Sequence, residues 1–336
     1  MFRAWFFLFR PWSYTATVVP FLVAAAIGSV WKDACWWHWA GGLAVGLMFQ
    51  ATVNLLNTWG DERSGVDDVP GAIRTTPQIH DGLVSMRALF AVAACCAVLA
   101  GTGGLMLCLY RVPGGDSLAF NWELLVAGFI GFLGSTNYST GVKFKYRGLG
   151  VPFVSFLMGP LEIAVALMLL KPGVFMSLGS PDLCRGVLLS LACLLALSLP
   201  VASLVGVIMH GNDMRDIPTD RLAGIVTLAS WLGPRGALAY YWIAHLLPYA
   251  ACAAMSALFG LAVRWSSGAA LLLPLLCLPL TARTLGASLR VYRADPSSPR
   301  WRGLERASGG IHFLFGLLYS AGLCLFILMA HAAVVE

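Results

Sequence analysis

Long apolar segments alternate with short polar ones along almost the whole chain. A helix of about 20 residues crosses the hydrocarbon core of a bilayer, and about nine segments are long and apolar enough to do so. They lie at about 14–31, 38–57, 84–110, 118–137, 149–170, 186–209, 237–262, 268–289 and 310–332. The pattern predicts an all-α fold, a polytopic membrane bundle of about nine transmembrane helices in one domain covering 1–336.

Two of these segments run directly into acidic stretches that contain asparagine. On a helix, the polar residues of each stretch are spaced to share one face. Two facing columns of oxygen ligands would repel each other unless cations lay between them, and such ligands suit Mg²⁺ completed by phosphate. The stretches therefore predict a magnesium-diphosphate site at one end of the bundle, with ordinary solvated loop charges as the alternative. The two columns are Asn54, Asn57, Asp61 and Asn212, Asp216, Asp220.

The recurrence of an apolar segment followed by an acidic stretch also suggests an internal duplication, with halves at 1–147 and 148–336. Basic and aromatic residues lie beside both stretches and in the loop after the fourth segment. Basic side chains there would grip a diphosphate, while tyrosines would face an aromatic acceptor or a developing cation. The candidates for substrate binding are Asn54, Arg63, Tyr138, Lys143, Lys145, Arg147, Arg215 and Arg221.

The composition supports a membrane protein, with 59% hydrophobic and 11% charged residues and a mean hydropathy of +0.78. The net charge of +6 does not indicate a nucleic-acid partner, because most basic residues fall in alternate loops. By the positive-inside rule, the N-terminus and both acidic stretches are predicted to be cytoplasmic and the C-terminus outside, in the cell inner membrane. We expect no cleavable signal peptide. The basic stretch Arg283–Arg306 is predicted to face lipid head groups.

Neither cysteine nor histidine offers a second kind of site. The nine cysteines contain no C-x-x-C pair and lie mostly in apolar segments, which indicates packing rather than a disulfide framework. The six histidines are scattered without metal-ligand spacing. Glu162, inside the fifth segment, is either part of a site or a hydrogen-bonded structural residue.

The acidic stretches resemble the motifs of the UbiA superfamily of intramembrane prenyltransferases, and within it those of 1,4-dihydroxy-2-naphthoate polyprenyltransferases of menaquinone synthesis. The first motif is matched by Asn57 and Asp61 with Gly65 and Asp67. The second is matched from Asn212 to Asp220 with Gly224 and Thr227. Further similarity lies in Lys145–Gly150, in Arg10–Pro11 and in Gly159–Leu161.

The chain departs from that pattern at four positions. Thr58 stands where the first motif usually has Asp, and Asp213 where the second usually has Asn. Ile225 replaces a usual Lys, and Val151 replaces an acidic residue. These departures leave the main oxygen ligands in place but put the identity of the acceptor in doubt.

The resemblance implies Mg²⁺-dependent transfer of a polyprenyl group from polyprenyl diphosphate to an aromatic acceptor, most simply 1,4-dihydroxy-2-naphthoate in menaquinone biosynthesis. It implies metal ligation by Asn57, Asp61, Asp67, Asn212, Asp216 and Asp220, with Asp61, Asp67, Asp216 and Asp220 as the catalytic carboxylates. The partners are the two substrates and membrane lipid. The alternatives are a UbiA-type enzyme with another acceptor and an ion-coupled transporter, for which acidic helix ends and a two-halves pattern are typical.

Overall fold

The structure is a computed structural model, and it describes residues 1–64, 77–111, 117–139, 141–177, 183–222, 224–262, 265–295 and 302–335. The helices are α1 Phe2–Phe9, α2 Thr15–Gly28, α3 Trp36–Ser64, α4 Pro77–His80, α5 Met86–Leu107, α6 Trp122–Ser139, α7 Gly150–Phe156, α8 Glu162–Leu170, α9 Val174–Ser177, α10 Leu183–Leu222, α11 Leu228–Ala262, α12 Trp265–Ala269, α13 Leu278–Ala294 and α14 Arg302–Val335. A short antiparallel hairpin pairs β1 Leu109–Arg111 with β2 Leu118–Phe120.

Every predicted apolar segment contains helix, so the all-α membrane bundle is confirmed. Among the described residues, eight helical stretches are long and apolar enough to cross a membrane. The fourth predicted segment, which forms α6, is not among the eight because polar residues at both ends lower its mean hydropathy. Its middle nevertheless exposes large apolar side chains, including Phe129 and Phe132. The predicted number of about nine helices is therefore roughly right.

The helical path is interrupted within the fifth segment and just before the seventh, for identifiable reasons. A π-helical turn at Leu157–Leu161 separates α7 from α8 and contains Pro160, which has no backbone N–H to donate. In α11, Gly233 has a φ of 69° and is followed by Pro234, so the chain bends there. Such turns are tolerated inside a membrane where neighbouring helices cover the freed backbone groups.

Small residues bring the central helices together. Gly42 of α3 packs on Leu169, Gly316 of α14 on Val19, and Gly159 on Ala202 of α10. Inside a bilayer, apolar surface gains little by leaving lipid, so close packing at small residues is what holds helices together. The central core is built from α2, α8 and α14 around buried side chains such as Ile163 and Tyr319.

Both acidic stretches are continuations of membrane helices, as the spacing predicts. Asn54, Asn57 and Asp61 lie in the last three turns of α3. The second column lies in the last three turns of α10, a helix of 40 residues. The helical form assumed for the two columns is therefore confirmed, and their polar faces occur at helix ends. The proposed division into two duplicated halves stays a prediction.

Candidate functional site

The N-terminal segment is attached to the first acidic helix through Asn54. Its amide nitrogen donates to the carbonyl oxygen of Phe9 at 2.8 Å and to the hydroxyl of Ser13 at 2.9 Å. These two bonds use both amide hydrogens. Arg10, between the two acceptors, has a left-handed backbone with a φ of 50° and donates to Thr58 at 3.2 Å. Asn54 thus holds α1 against α3, and its contact with substrate stays a prediction.

The loop after α6 places a lysine and a tyrosine directly on Asp61. The Lys145 ammonium lies 3.0 Å from each Asp61 carboxylate oxygen, and the Tyr146 hydroxyl donates to Oδ1 at 2.6 Å. Lys143 adopts a left-handed φ of 57°, which turns the chain so that the next residues point at α3. The basic loop predicted from the sequence therefore contacts the first acidic column.

The same loop also reaches the segment that follows the second acidic column. The backbone N–H of Val226 donates to the carbonyl of Tyr146 at 3.4 Å, and Arg147 forms a parallel β-bridge with Val226. Asp220, at the end of α10, accepts a hydrogen bond from Thr227 at 3.3 Å. The loop is thus attached to both sides of the candidate site.

Lys145 lies where the two columns meet. It interacts electrostatically with Asp61, Asp213 and Asp220. Burial disfavours the charged lysine, but the nearby Asp61 carboxylate and the tyrosines outweigh it and raise the pKa of Lys145 above its ordinary value. Burial, and after it the charge of Asp216, raises the pKa of Asp220 to about 7. The site therefore holds more carboxylate charge than its own cations neutralise easily.

Arg215 lies beside Asp216 of the second column and is held from two sides. Its Nε and Nη2 atoms donate to the two oxygens of Asp216 at 2.7 and 2.6 Å, and its Nη1 donates to Glu305 at 2.8 Å. The sequence predicts that Glu305 belongs to a lipid-facing basic stretch. In the structure it lies in the first turn of α14 and pairs with Arg215, because α14 packs against the end of α10.

The remaining candidates differ in their placement. Tyr138 is buried within electrostatic reach of Asp213 and Lys145. Asn57 and Asn212 are half-buried on their columns, while Arg63 lies over the Trp59 ring with its guanidinium carbon 4.9 Å from the centroid. The exposed candidates are Arg63, Lys143, Arg147 and Arg221. Asp67 lies outside the described residues.

The sequence reasoning missed two carboxylates. Asp213 is noted there only as a departure from the usual motif, yet it is 7% exposed and lies close to Asp216 and Asp220. Its spacing from Asp216 and Asp220, three and seven residues, could have suggested a place on the same helical surface. Glu305 gave no such signal, because its partner is 90 residues away in the sequence.

The donor set suits Mg²⁺, although it does not form a closed cage. In the described part of the chain, no three acidic, histidine or cysteine side chains converge on one metal position. Carboxylate and amide oxygens are hard ligands, and Mg²⁺ usually keeps waters and shares phosphate oxygens. The raised pKa of Asp220 indicates negative charge that a cation would relieve. The residues therefore fit a metal whose coordination is completed by substrate.

Comparison with known proteins identifies the family of the chain. The sequence model of the UbiA prenyltransferase family matches residues 16–309. Relatives named UbiA prenyltransferase domain-containing protein 1 include the Gallus gallus protein, 29% identical over 319 residues, which covers 94% of this chain and 83% of the relative. The Homo sapiens protein is 27% identical over 325 residues, covering 94% and 82%. The Drosophila melanogaster homologue is 27% identical over 328 residues, covering 94% and 77%.

Solved structures share the fold. A UbiA homologue from Archaeoglobus fulgidus bound to GPP and Mg²⁺ superimposes with a TM-score of 0.55 at 15% identity, over 95% of this chain and 99% of that one. The apo UbiA homologue from Aeropyrum pernix K1 gives 0.54 at 17% identity, over 92% and 96%. The relatives do not bear the naphthoate name, so that branch stays a proposal. The chain belongs to the UbiA prenyltransferase family and is a membrane prenyltransferase.

Proposed function

We propose that the protein transfers a polyprenyl group from polyprenyl diphosphate to an aromatic acceptor, with Mg²⁺, and that the acceptor is 1,4-dihydroxy-2-naphthoate or a closely related dihydroxynaphthalene. The observation that carries the proposal is the position of Lys145, which pairs with Asp61 and interacts with Asp213 and Asp220 of the other column. Oxygen ligands from both motifs thus surround one region in which a diphosphate would meet both.

The cations of the site would bind the leaving diphosphate. Lys145 and Arg215 are both anchored on carboxylates, so their donors are oriented before the substrate arrives. Such fixed charges stabilise a developing anion better than mobile ones, since no reorganisation is needed during reaction. The bond between the prenyl carbon and the diphosphate oxygen would then break to leave an allylic cation, which the rings of Tyr138 and Tyr146 would stabilise.

Mg²⁺ would be held by Asn57, Asp61, Asn212, Asp216 and Asp220, with Asp67 predicted from the sequence. When bound, it would supply charge neutralisation for the leaving group. The homologue from Archaeoglobus fulgidus was solved with GPP and Mg²⁺, which supports this assignment.

The acceptor carbon would attack the allylic cation, and a carboxylate would take the proton that the ring loses. The candidates for that carboxylate are the catalytic residues predicted from the sequence, Asp61, Asp67, Asp216 and Asp220. If the acceptor carries a carboxyl group at the attacked carbon, loss of CO₂ in place of the proton restores the aromatic ring. The resemblance of the second motif and of Lys145–Gly150 to the naphthoate branch supports this acceptor class.

The test is transfer by purified variants in detergent, with Mg²⁺, labelled prenyl diphosphate and a panel of aromatic acceptors. Asp61→Ala and Asp216→Ala should lower transfer at least about 100-fold while the proteins remain folded. Full activity in both variants would refute the metal-diphosphate site. A preference for a benzoate over every dihydroxynaphthalene would refute the acceptor class alone.

The family assignment sets aside the ion-coupled transporter. Glu162, which suggested it, accepts a hydrogen bond from Thr17. Its other oxygen, Oε2, is buried and has no hydrogen-bond partner among the described residues. Ion uptake by proteoliposomes in the absence of any prenyl donor would support the transporter instead.

A further inference from the structure

Glu305 makes a contact that the proposed reaction does not explain. It lies in the first turn of α14, where the positive end of the helix dipole favours a carboxylate. One turn before Arg215, Gly211 has no side chain, so the Glu305 backbone lies 3.5 Å from the position that a Cβ of Gly211 would occupy. The close approach of α10 and α14 thus brings Glu305 onto Arg215, where Nη1 and Oε2 are 2.8 Å apart.

All three nitrogens of the Arg215 guanidinium are in use. Its Nε and Nη2 edge forms a two-bond fork with Asp216, and Nη1 belongs to Glu305. Arg215 is 9% exposed, whereas Asp216 is 31% exposed. Glu305 is 20% exposed, so the Asp216 side of Arg215 is the more accessible of the two.

A diphosphate competes for this fork, since a phosphate group and a carboxylate accept two parallel bonds from a guanidinium with similar geometry. Without a second anchor, an Arg215 guanidinium that left Asp216 for the substrate would keep no partner in the protein. The bond to Glu305 lets the guanidinium turn about Nη1 instead. Such a turn would also free the oxygens of Asp216.

We propose that Glu305 is a positioning residue of the transferase: it holds Arg215 through Nη1 so that the other edge of the guanidinium passes from Asp216 to the diphosphate when the donor binds. The inference rests on the proposed function. Arg10 and Arg306 also lie within electrostatic reach of Glu305. Arg10 in turn donates to Thr58, next to Asn57 of the first column. Through Arg215 and Arg10, Glu305 thus interacts with residues beside both columns, without itself belonging to either.

The experiment compares wild type with Glu305→Gln and Glu305→Ala in detergent. Binding of inorganic pyrophosphate with Mg²⁺ is measured by calorimetry without turnover, and KM and kcat are measured for donor and acceptor separately. Loss of a charge-assisted hydrogen bond should weaken pyrophosphate binding about tenfold and raise the donor KM by a similar factor. The acceptor KM should not change. Glu305→Gln, which keeps an acceptor oxygen, should show a smaller effect.

A double variant separates positioning from general support of the fold. If Glu305 acts through Arg215, adding Glu305→Ala to Arg215→Gln changes pyrophosphate binding no further. The matched control is Asp33→Asn, which removes the carboxylate of another ion pair, 3.1 Å from Lys171. That variant should bind pyrophosphate as wild type does.

Three results would overturn the inference. They are unchanged pyrophosphate binding in both Glu305 variants, additive effects in the double variant, and a fall in thermal stability with kcat and both KM values unchanged. Failure of the proposed function is distinguishable, because wild type itself would then bind no pyrophosphate with Mg²⁺ and transfer no prenyl group. If Glu305→Ala does not fold, the nearly isosteric Glu305→Gln provides the measurement.

Discussion

Lys145 lies between carboxylates supplied by both acidic columns. It pairs with Asp61 and interacts with Asp213 and Asp220. A buried carboxylate that loses its partner cation retains its desolvation cost and repels its neighbours. Lys145 therefore contributes to stability as well as to binding, and the two contributions can be measured separately.

Lys145→Gln should lower the melting temperature of the metal-free protein by about 5 °C, because a charge-assisted pair is lost among carboxylates. Added Mg²⁺ should raise the melting temperature of this variant more than that of wild type, since the cation replaces the missing positive charge. Thermal unfolding in detergent with and without Mg²⁺ provides the measurement. Lys171→Gln, which removes a cation at the Asp33 pair, is the control and should respond to Mg²⁺ as wild type does. An identical Mg²⁺ response in Lys145→Gln would contradict the prediction.

Asp220 gives the metal-free protein a pH-dependent stability. Its pKa is raised from 3.8 to about 7 by burial and by Asp216, so the folded protein retains a proton that the unfolded chain has already lost. The contribution of Asp220 to the free energy of unfolding is therefore most favourable below about pH 4. It falls as the pH rises to about 7. Asp220→Asn should make the loss of stability between pH 4 and pH 8 smaller, and it should raise the melting temperature at pH 8.

The measurement is thermal unfolding between pH 4 and pH 8 in the presence of a chelator. Asp295→Asn, at an exposed position after α13, is the control and should keep the wild-type slope. If Asp220→Asn melts at the same temperatures as wild type across that range, Asp220 does not carry the unfavourable charge.

The sequence predicts some of the elements that form the site. The ends of α3 and α10 were expected to be helical with one polar face, because the spacing of their polar residues follows the helical repeat. The loop with Lys145 was expected to contact phosphate, and the structure shows what places it: left-handed Lys143 and the bridge to Val226. The hairpin of β1 and β2 was not expected, since its strands of three residues give no periodic signal.

The position of α10 depends on its contact with the π-helical turn before α8. A Cβ added at Gly159 would lie 2.6 Å from the Cβ of Ala202, so a larger side chain must separate the two elements. Gly159→Leu should cost about 2 kcal/mol of unfolding free energy and lower transfer as well, because α10 carries the second column. Denaturant titration and prenyl transfer provide the measurements.

Gly128→Leu is the matched control for that variant. A Cβ at Gly128 of α6 meets nothing within 4 Å, so the same substitution should leave the free energy of unfolding unchanged within about 0.5 kcal/mol. Equal losses in the two variants would indicate that glycine matters through backbone conformation rather than through close packing.

At the scale of the whole molecule, the number of crossings decides where the chain ends lie. Within the described ranges, eight stretches qualify by length and hydropathy, and α6 adds a ninth helix with exposed apolar side chains. An odd number of crossings puts the two termini on opposite sides of the membrane. The excess of basic residues in alternate loops predicts that the N-terminus is on the same side as the acidic columns.

Reporter fusions at the two ends of the chain should therefore report opposite sides, with the N-terminal fusion cytoplasmic. Alkaline phosphatase fused after the C-terminus should be active, as expected outside the cytoplasm. A fluorescent reporter that folds only in the cytoplasm should not fluoresce when it is fused there. The same readings from a fusion placed before α1 would contradict the predicted orientation. If both ends report one side, α6 does not cross the membrane.

The sequence by itself determined the class of protein, the helices and the two oxygen-rich columns, because hydropathy and helical spacing are local properties of the chain. It also indicated the family, through motifs whose residues are near each other in the sequence. Only the tertiary structure decided that Lys145 stands between the columns, that Asp213 joins them, and that Glu305 of α14 holds Arg215 of α10. These contacts join residues that are far apart in sequence, and the packing of helices at small residues brings them together.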